Sequence, residues 1–434
     1  MGNCMDFRIY QRDDDGYARI VFDGELPAEL ADDCVISARI FREEDNLLIA
    51  ENIPGTVAGR KWTVTLTVPE GGLYRIEAMS PFGVMQCVHH IGVGDIYVTC
   101  GQSNMTGYGK DNAYDPPTLG VHMLANTGTW RIATHPIAAA VGSVYGFPEA
   151  DTGTSPALSF ARRLKEKLGV PIGIIPTAVG GTALAAWNPD EGGECCREMY
   201  KRLDAIGKFK GFLWYQGCSD VDGYKAPTYF DRFARMISLW REKYGHCPVL
   251  TVQLNRWTGD PDVDCSKWWG IVRDAQRRAM LELEDVITVP SLDLPLTDGI
   301  HNSSGANVII GERLANAALH SVYHKVGQMP PAVIGAEVVD DTHVRVKLSA
   351  GHQVYAMDQL AEGMCVEDEN GMIECGKAIA EKDCLVVDTV RPYTLPAAFH
   401  YAWGNRTLLF PARDYNGMPL LSCYGIEIKP AAEK

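Results

Sequence analysis

One serine lies where an apolar run ends in a glycine-bounded turn. The segment GDIYVTCGQSNMTGYG leads from strand-type residues into Gly101, Gln102, Ser103 and Asn104. Ligands of doubly wound sheets bind beyond the carboxyl ends of the strands, so a serine there would present its hydroxyl and a backbone N–H to a substrate. Ser103 is therefore a candidate nucleophile, and the alternative is a turn serine that only bonds its own backbone.

A carboxylate and an imidazole follow the last apolar run of the central region. Asp298 and His301 stand three residues apart in the sequence DGIH. A serine hydroxyl needs a neighbouring base to take its proton, and a carboxylate can hold that base in the right tautomer. We expect His301 to be the base and Asp298 its orienting partner. The alternative is a helix-capping aspartate with a surface histidine before a helix over 304–319.

Two further apolar runs end in groups that can donate hydrogen bonds. Gly180 and Gly181 follow IGIIPTAV, and Gln216 follows GFLWY. Glycine lets a backbone amide approach a substrate closely, and the Gln216 amide is a side-chain donor. Each donor aimed at a developing oxyanion contributes roughly 2.7–4 kcal/mol. A tight turn and a satisfied buried amide are the respective alternatives.

The pattern of apolar and polar residues divides the chain into three regions. Residues 1–91 and 329–434 alternate apolar and polar residues in short runs, which predicts β-sandwich-like domains. Residues 92–328 alternate apolar runs with helical stretches, which predicts an α/β domain with a parallel sheet between two layers of helices. The predicted strands cover 95–99, 172–177, 211–215, 249–254 and 286–292, and the predicted helices cover 155–168, 229–244, 268–283 and 304–319.

The four strand ends together resemble a known enzyme group. The ordered blocks GQSNM, GGTALAAW, WYQG and DGIH, within residues 94–315, resemble the SGNH-type hydrolases, and within them the sialate O-acetylesterase and acetyl xylan esterase-like carbohydrate esterases. The resemblance implies a three-layer α/β fold with Ser103 as nucleophile, His301 as base and then acid, and Asp298 as its orienter. It implies an oxyanion hole of the Ser103 and Gly181 N–H groups and the Gln216 side chain, with Gly180 as an alternative donor.

One position departs from the family pattern. The group often has an acidic residue after WYQG, and here Cys218 stands there, followed by Ser219 and Asp220. A cysteine nucleophile at Cys218 is an alternative, but no partner lies near it in sequence.

Several polar and aromatic residues near these blocks are predicted to contact the substrate. A ring face can pack against the C–H face of a sugar at little entropic cost. The predicted substrate-binding residues are Gln102, Asn104, Tyr108, Trp187, Asn188, Arg256 and Trp257.

Composition limits the possible partners. The 434 residues carry a net charge of −15, which argues against nucleic acid and anionic membranes, since both need a positive surface. No apolar run approaches the roughly 20 residues of a membrane span, and the first residues lack a signal-peptide pattern. We therefore expect a cytoplasmic protein. A homo-oligomer is compatible with these features. The thirteen cysteines form no zinc-site spacing, so we predict reduced thiols, no metal and no organic cofactor.

These features predict an esterase that removes acetyl groups from sugar hydroxyls, with an O-acetylated sugar or oligosaccharide as its partner. Sialic acid and hemicellulose-derived oligosaccharides are both open as substrates. An esterase for other small or lipid acyl groups is one alternative, and a non-catalytic carbohydrate-binding protein is another.

Overall fold

The computed structural model describes residues 5–260, 262–349, 351–406 and 411–431. Among these, no helix is both long and apolar enough to cross a membrane. The twelve cysteines within the described ranges are free thiols.

The amino-terminal region is built of strands around one apolar core. The strands are β1 (Ile9–Gln11), β2 (Tyr17–Glu25), β3 (Ser37–Arg42), β4 (Leu47–Ala58), β5 (Lys61–Pro69), β6 (Gly71–Ser80) and β7 (Gly83–Gly101). Alternate residues of β2 and β5 are buried, as the sequence pattern predicts for strands with one face on a core. The first part of β4 pairs with β3 and its end pairs with β5, so this strand joins two sheets over a shared core.

The central region alternates strands and helices. Its further strands are β8 (Val121–Leu124), β9 (Trp130–Ile132), β10 (Ile172–Pro176), β11 (Gly211–Tyr215), β12 (Val249–Val252) and β13 (Val286–Val289). Its helices are α1 (Ser103–Thr106), α2 (Pro156–Leu168), α3 (Glu194–Ile206), α4 (Tyr229–Tyr244), α5 (Ser266–Glu282) and α6 (Ser304–Ser321). The predicted helices and the predicted strands after residue 170 are thereby confirmed within a few residues at each end. The strand predicted over 95–99 is the last part of β7, which begins at Gly83.

The central strands form a parallel arrangement with the order β8-β10-β7-β11-β12-β13. Only β9, which pairs with β8, is antiparallel. Every residue of β10, β11, β12 and β13 is buried, as expected for parallel strands covered on both faces. Helix α2 packs on α6, and α4 packs on α5. The molecule is thus a mixed α/β protein with several sheets.

Strand β7 belongs to two regions at once. Its first half pairs antiparallel with β6, and its second half pairs parallel with β10 and β11. The predicted boundary between residues 91 and 92 falls inside this strand. The strand that ends at the candidate nucleophile is therefore held in both regions.

The carboxyl-terminal region corrects the predicted sandwich. Its strands are β14 (Val333–Val338), β15 (His343–Leu348), β16 (Val354–Tyr355), β17 (Met364–Asp368), β18 (Gly371–Glu381), β19 (Cys384–Thr389), β20 (Ala398–Tyr401), β21 (Arg413–Asp414) and β22 (Cys423–Lys429). Seven of them close into a barrel in the order β14-β15-β19-β18-β17-β20-β22. Alternating residues indicate that one face of a strand is buried, but they do not show whether the edge strands pair and close the sheet.

A buried arginine joins this barrel to the central sheet. Arg273 of α5 donates to the carbonyls of Leu254 and Asn255, which follow β12, and to those of Ala402 and Gly404 in the barrel region. Burial lowers the pKa of Arg273 to about 9. The loop after β12 is therefore fixed on the side where the predicted site lies.

Candidate active site

The turn that carries Ser103 requires glycine before it. Gly101 ends β7 with a φ of +116°, and a Cβ at this position would lie 2.3 Å from the carbonyl oxygen of Tyr215. The chain then turns, Gln102 donates its N–H to the same carbonyl at 2.9 Å, and α1 begins at Ser103. The first N–H groups of a helix have no acceptor within it, so the Ser103 N–H remains available to a ligand.

The structure brings the three predicted catalytic residues together. The Ser103 Oγ lies 2.9 Å from the His301 Nε2, and the His301 Nδ1 lies 2.7 Å from the Asp298 Oδ2. Ser103 is separated from His301 by 198 positions in the chain, so the fold and not local sequence creates this arrangement. The order hydroxyl, imidazole, carboxylate is that of a serine hydrolase triad.

Asp298 is held as an anion by its own loop. Its Oδ1 accepts the N–H groups of Ile300 at 2.8 Å and His301 at 2.7 Å. Partial burial acts to raise the pKa of Asp298, but the hydrogen bonds from His301 and Ile300 outweigh it, and the pKa lies below its usual value. The carboxylate can therefore accept the Nδ1 proton of His301 and leave Nε2 facing Ser103.

Buried amides fix the His301 loop to the nucleophile. Asn302 donates its N–H to the Asn104 Oδ1 at 2.9 Å, and the Asn104 Nδ2 donates to the Ile300 carbonyl at 3.3 Å. The Asn302 side chain accepts from Asn255 at 2.7 Å and donates to the Tyr215 hydroxyl at 3.1 Å. The prediction that Asn104 contacts the substrate is thus corrected: this residue is 2% exposed and joins the turn of Ser103 to the loop of His301.

Tyr108 packs on the candidate base. Its ring stacks on the His301 ring with centroids 4.8 Å apart, and its hydroxyl donates to Glu149 at 2.8 Å. Burial, and next the hydrogen bond to Glu149, raise the pKa of Tyr108 to about 12. Tyr108 is therefore a neutral phenol that restrains the imidazole.

The contacts of Glu149 also show which of the two candidate glycines has an available N–H group. The Gly180 N–H donates to the second carboxylate oxygen of Glu149. Within the described part of the chain, the Gly181 N–H has no protein acceptor, and the space beside its Cα is open. Of the two amides, that of Gly181 is the one available to an oxyanion.

Gln216 is not available as the predicted donor. It is completely buried, and its Nε2 donates to the Thr182 carbonyl at 3.1 Å and to the Asp220 carboxylate at 2.6 Å. Its Oε1 accepts from the Tyr229 hydroxyl at 3.0 Å. Because both amide hydrogens already have protein acceptors, Gln216 does not face the substrate. It stabilises the turn that contains Gly180 and Gly181, called the glycine turn below.

The predicted sugar platform at Trp187 and Asn188 is also corrected. Trp187 is completely buried, packs edge-on against Trp214, and donates its indole N–H to Thr182 at 2.9 Å. Asn188 is 2% exposed and donates to Glu191 at 2.8 Å. Both residues are part of the core, since a ring without exposed surface cannot receive a sugar.

The other predicted substrate contacts have mixed positions. Gln102 is 4% exposed and accepts the Gly217 N–H at 3.0 Å, so it braces the turn instead of facing a ligand. Arg256 is half-buried and donates to the carbonyls of Leu292 and Leu294. Trp257 is partly exposed and stacks on Trp269 at 6.4 Å. The next residue, Thr258, donates to the Gly299 carbonyl of the His301 loop at 2.8 Å. Trp257 therefore lies near the triad and remains a candidate substrate contact.

Cys218 has no features of a nucleophile. Burial raises the pKa of its thiol to about 12, and the thiolate is the reactive form. The acid two residues later, Asp220, is completely buried and accepts the Leu184 N–H at 2.9 Å as well as the Gln216 amide. This carboxylate organises the glycine turn and does not reach the triad.

Sequence reasoning missed the residues that support the triad. Asn255 directly follows a predicted strand, and Asn302 directly follows the predicted base, so both positions were usable signals. Glu149 lies in a long loop without periodicity, 41 positions from Tyr108 and 31 from Gly180. Nothing in its sequence surroundings indicates that it reaches either residue.

Comparisons with known proteins give the family of this chain. The family described as carbohydrate esterase, sialic acid-specific acetylesterase matches residues 93–320. A probable carbohydrate esterase of Arabidopsis thaliana is 30% identical over 252 residues, which are 52% of this chain and 90% of that protein. The crystal structure of XAC1771, a carbohydrate acetylesterase from Xanthomonas citri, has a TM-score of 0.71 at 22% identity and covers 96% of this chain and 97% of its own. The shared fold thus includes both β regions. The chain belongs to the sialic acid-specific acetylesterase family of carbohydrate esterases, hydrolases that remove O-acetyl groups from sugars.

Proposed function

We propose that this protein removes acetyl groups from sugar hydroxyls through an acyl-enzyme on Ser103. The observation that carries the proposal is the continuous hydrogen-bonded series Ser103, His301 and Asp298, with contacts of 2.9 Å and 2.7 Å. A serine hydroxyl in such a series is activated by the adjacent imidazole.

The first half of the reaction transfers the acetyl group to the enzyme. The Ser103 Oγ attacks the acetyl carbonyl carbon while its proton passes to the His301 Nε2. The N–H groups of Ser103 and Gly181 stabilise the oxyanion that forms. The carbonyl then re-forms, the bond to the sugar oxygen breaks, and His301 returns the proton to that oxygen.

The second half releases acetate. His301 takes a proton from a water molecule, the hydroxide attacks the acyl carbon, and the bond to Ser103 Oγ breaks as the proton returns to the serine. Asp298 stabilises the imidazolium of both halves. The Tyr108 ring stacked on His301 adds a favourable interaction with that cation.

We also propose that the central region is a three-layer SGNH-type hydrolase domain. The parallel strand order and the two helix pairs support this assignment. The four site-forming segments all follow the carboxyl ends of parallel strands, where ligands of open α/β sheets bind.

Acetate release from O-acetylated sialic acid, xylo-oligosaccharide and manno-oligosaccharide tests the proposal. The wild type should release acetate from at least one of them, and Ser103→Ala should not. Ser238→Ala, which removes an exposed serine on α4, is the matched control. Full acetate release by Ser103→Ala would refute the mechanism, and a preference for octanoyl over acetyl esters would refute the substrate class.

A further inference from the structure

A cleft lies where the carboxyl-terminal region meets the ends of two central helices. Its volume is about 530 Å³, which is within the range of small-molecule sites. One wall is formed by the last turns of α5 and α6 and by the segment that follows α6. The other wall is formed by the short strands β16 and β21 and the residues beside them.

This cleft is far from the triad. Helix α6 begins at Ser304, three residues after His301, and ends at Ser321. Because a helix rises about 1.5 Å per residue, His320 on the cleft wall lies about 24 Å from Ser304 along α6. A small ligand in the cleft therefore does not touch the reacting groups.

A strand pair brings two polar segments of the cleft together. Strands β16 and β21 pair antiparallel, so the start of one strand lies beside the end of the other. Two residues before β16 and two residues after β21 thereby line the same part of the cleft: His352, Gln353, Tyr415 and Asn416.

Tyr415 supplies an exposed aromatic ring to this cleft. The residue is 73% exposed. Its ring makes a T-shaped contact with the Tyr355 ring, with centroids 4.3 Å apart. An exposed ring that is already held in place can pack against the C–H face of a sugar and lose little conformational freedom.

Asp414 fixes the turn that carries Tyr415. Its Oδ1 accepts the N–H groups of Asn416 at 2.9 Å and Met418 at 2.8 Å. The Gln328 Nε2 donates to the same carboxylate at 3.0 Å, and Asp414 is buried. The turn is therefore preorganised, which lowers the entropic cost of binding a ligand.

Polar groups beside the ring are available to a ligand. Within the part of the chain that the structure describes, the side-chain amides of Gln353 and Asn416 have no hydrogen-bond partner. The His352 Nδ1 lies 3.7 Å from the Asp414 Oδ2, and burial lowers the pKa of His352. A neutral imidazole and two amides offer both donors and acceptors, which the hydroxyls of a sugar can use.

The other residues of the cleft limit the kinds of ligand. Among the described residues that line it, none is lysine or arginine, so a phosphate-bearing ligand would lack the cations that it favours. Met280, Met329 and Pro330 add apolar surface. Apolar surface beside donors and acceptors suits a sugar, which has C–H groups on its ring faces and hydroxyls around its edge.

We propose that this cleft is a second, non-catalytic saccharide site, in which a sugar unit of a glycan stacks on Tyr415 and hydrogen-bonds to His352, Gln353 and Asn416. The proposal goes beyond deacetylation at Ser103 and does not depend on it. A glycan held here has a raised effective concentration near the triad, because the second binding event becomes intramolecular.

Calorimetric titration with saccharides that carry no O-acetyl ester tests the proposal. Xylohexaose, mannohexaose and sialyllactose are titrated into the wild-type protein, and at least one should bind. Tyr415→Ala should weaken this binding about tenfold, since an aromatic contact is lost. Tyr415→Phe keeps the ring and should retain most of the affinity.

Two further variants assign the effect to the cleft. Asn416→Ala removes one amide and should weaken binding severalfold. Phe82→Ala removes another exposed ring, in the turn between β6 and β7, and should leave the affinity unchanged. Hydrolysis of p-nitrophenyl acetate should be equal in the wild type and all four variants, because this ester is too small to reach from the triad to the cleft.

The outcomes separate this proposal from the function at Ser103. Binding of none of the three saccharides, or equal affinity in wild type, Tyr415→Ala and Asn416→Ala, would overturn the saccharide site and leave the serine mechanism standing. A changed oligomeric state of Tyr415→Ala in analytical ultracentrifugation would assign the cleft to a second copy of the chain and also overturn it. If the wild type releases no acetate but Tyr415→Ala still loses saccharide affinity, the proposed function fails and the saccharide site stands.

Discussion

The loops on the two sides of Ser103 are both rich in polar groups, but they use them differently. On one side, Asp298 and His301 have side chains that are 52% and 19% exposed, and the imidazole points at the serine. On the other side, Gln216 and Trp187 are completely buried, and each of their side-chain donors has a protein acceptor.

This contrast distinguishes polar groups that stabilise the fold from polar groups that can take part in the reaction. A buried polar group must be hydrogen-bonded within the protein, so an amide whose hydrogens are all used stabilises the fold and cannot respond to a substrate. A group that is reached by water and bonded to the nucleophile can exchange protons during the reaction.

The largest effect is expected for the exposed side. His301→Ala should lower kcat/KM by about 10⁴-fold, roughly 5.5 kcal/mol of transition-state stabilisation, because Ser103 loses its base. The melting temperature should change little. Steady-state acetate release together with thermal unfolding checks both parts, and near-normal activity would show that another group acts as the base.

Trp187→Ala should act on stability. Removal of a buried tryptophan costs about 3–5 kcal/mol of unfolding free energy, so a large loss of melting temperature is expected, with KM of the folded fraction unchanged. Trp257→Ala, at a partly exposed ring, should instead raise KM and change the melting temperature little. A raised KM at normal stability for Trp187→Ala would mean that this ring does contact the sugar.

Gln216→Met should have a smaller effect on stability. The change removes one hydrogen bond from the buried Asp220 carboxylate and one from the Tyr229 hydroxyl. Asp220 keeps its contacts with Leu184 and Arg232, and Tyr229 keeps the backbone carbonyl of residue 216. The loss costs about 1–3 kcal/mol of unfolding free energy. We expect kcat of the folded enzyme to fall less than the roughly 10²–10³-fold seen when an oxyanion donor is lost. A loss of that size without destabilisation would restore Gln216 to the oxyanion hole.

The smallest effect concerns pH. The pKa of Asp298 is below its usual value in the folded protein, so its contribution to stability is present above the unfolded pKa of about 3.9 and is lost as the pH falls through the folded pKa. Asp298→Asn should therefore melt slightly below wild type at pH 6, and the difference should shrink below about pH 4. A difference that stays constant with pH would exclude this linkage.

The sequence predicted site residues correctly where reactive residue types follow the carboxyl ends of parallel strands. The strand ends at Ser103, Gly181 and His301 could be predicted, because parallel strands place their carboxyl ends on one edge. The roles of Gln216, Trp187 and Asn104 were wrong, because the same residue types serve as ligand contacts or as satisfied core groups, and only burial distinguishes the two. Barrel closure and the reach of Glu149 depend on tertiary packing, which leaves no periodic signal in a single chain.

The most direct test of the central claim is the mass of the acetylated enzyme. Wild type is mixed with an activated acetyl ester, quenched in acid within milliseconds, digested and analysed for the peptide that contains Ser103. We predict that one acetyl group appears on Ser103, and that His301→Ala forms it far more slowly. Acetate release without any covalent acetyl on Ser103, or with acetyl on another residue, would contradict the account.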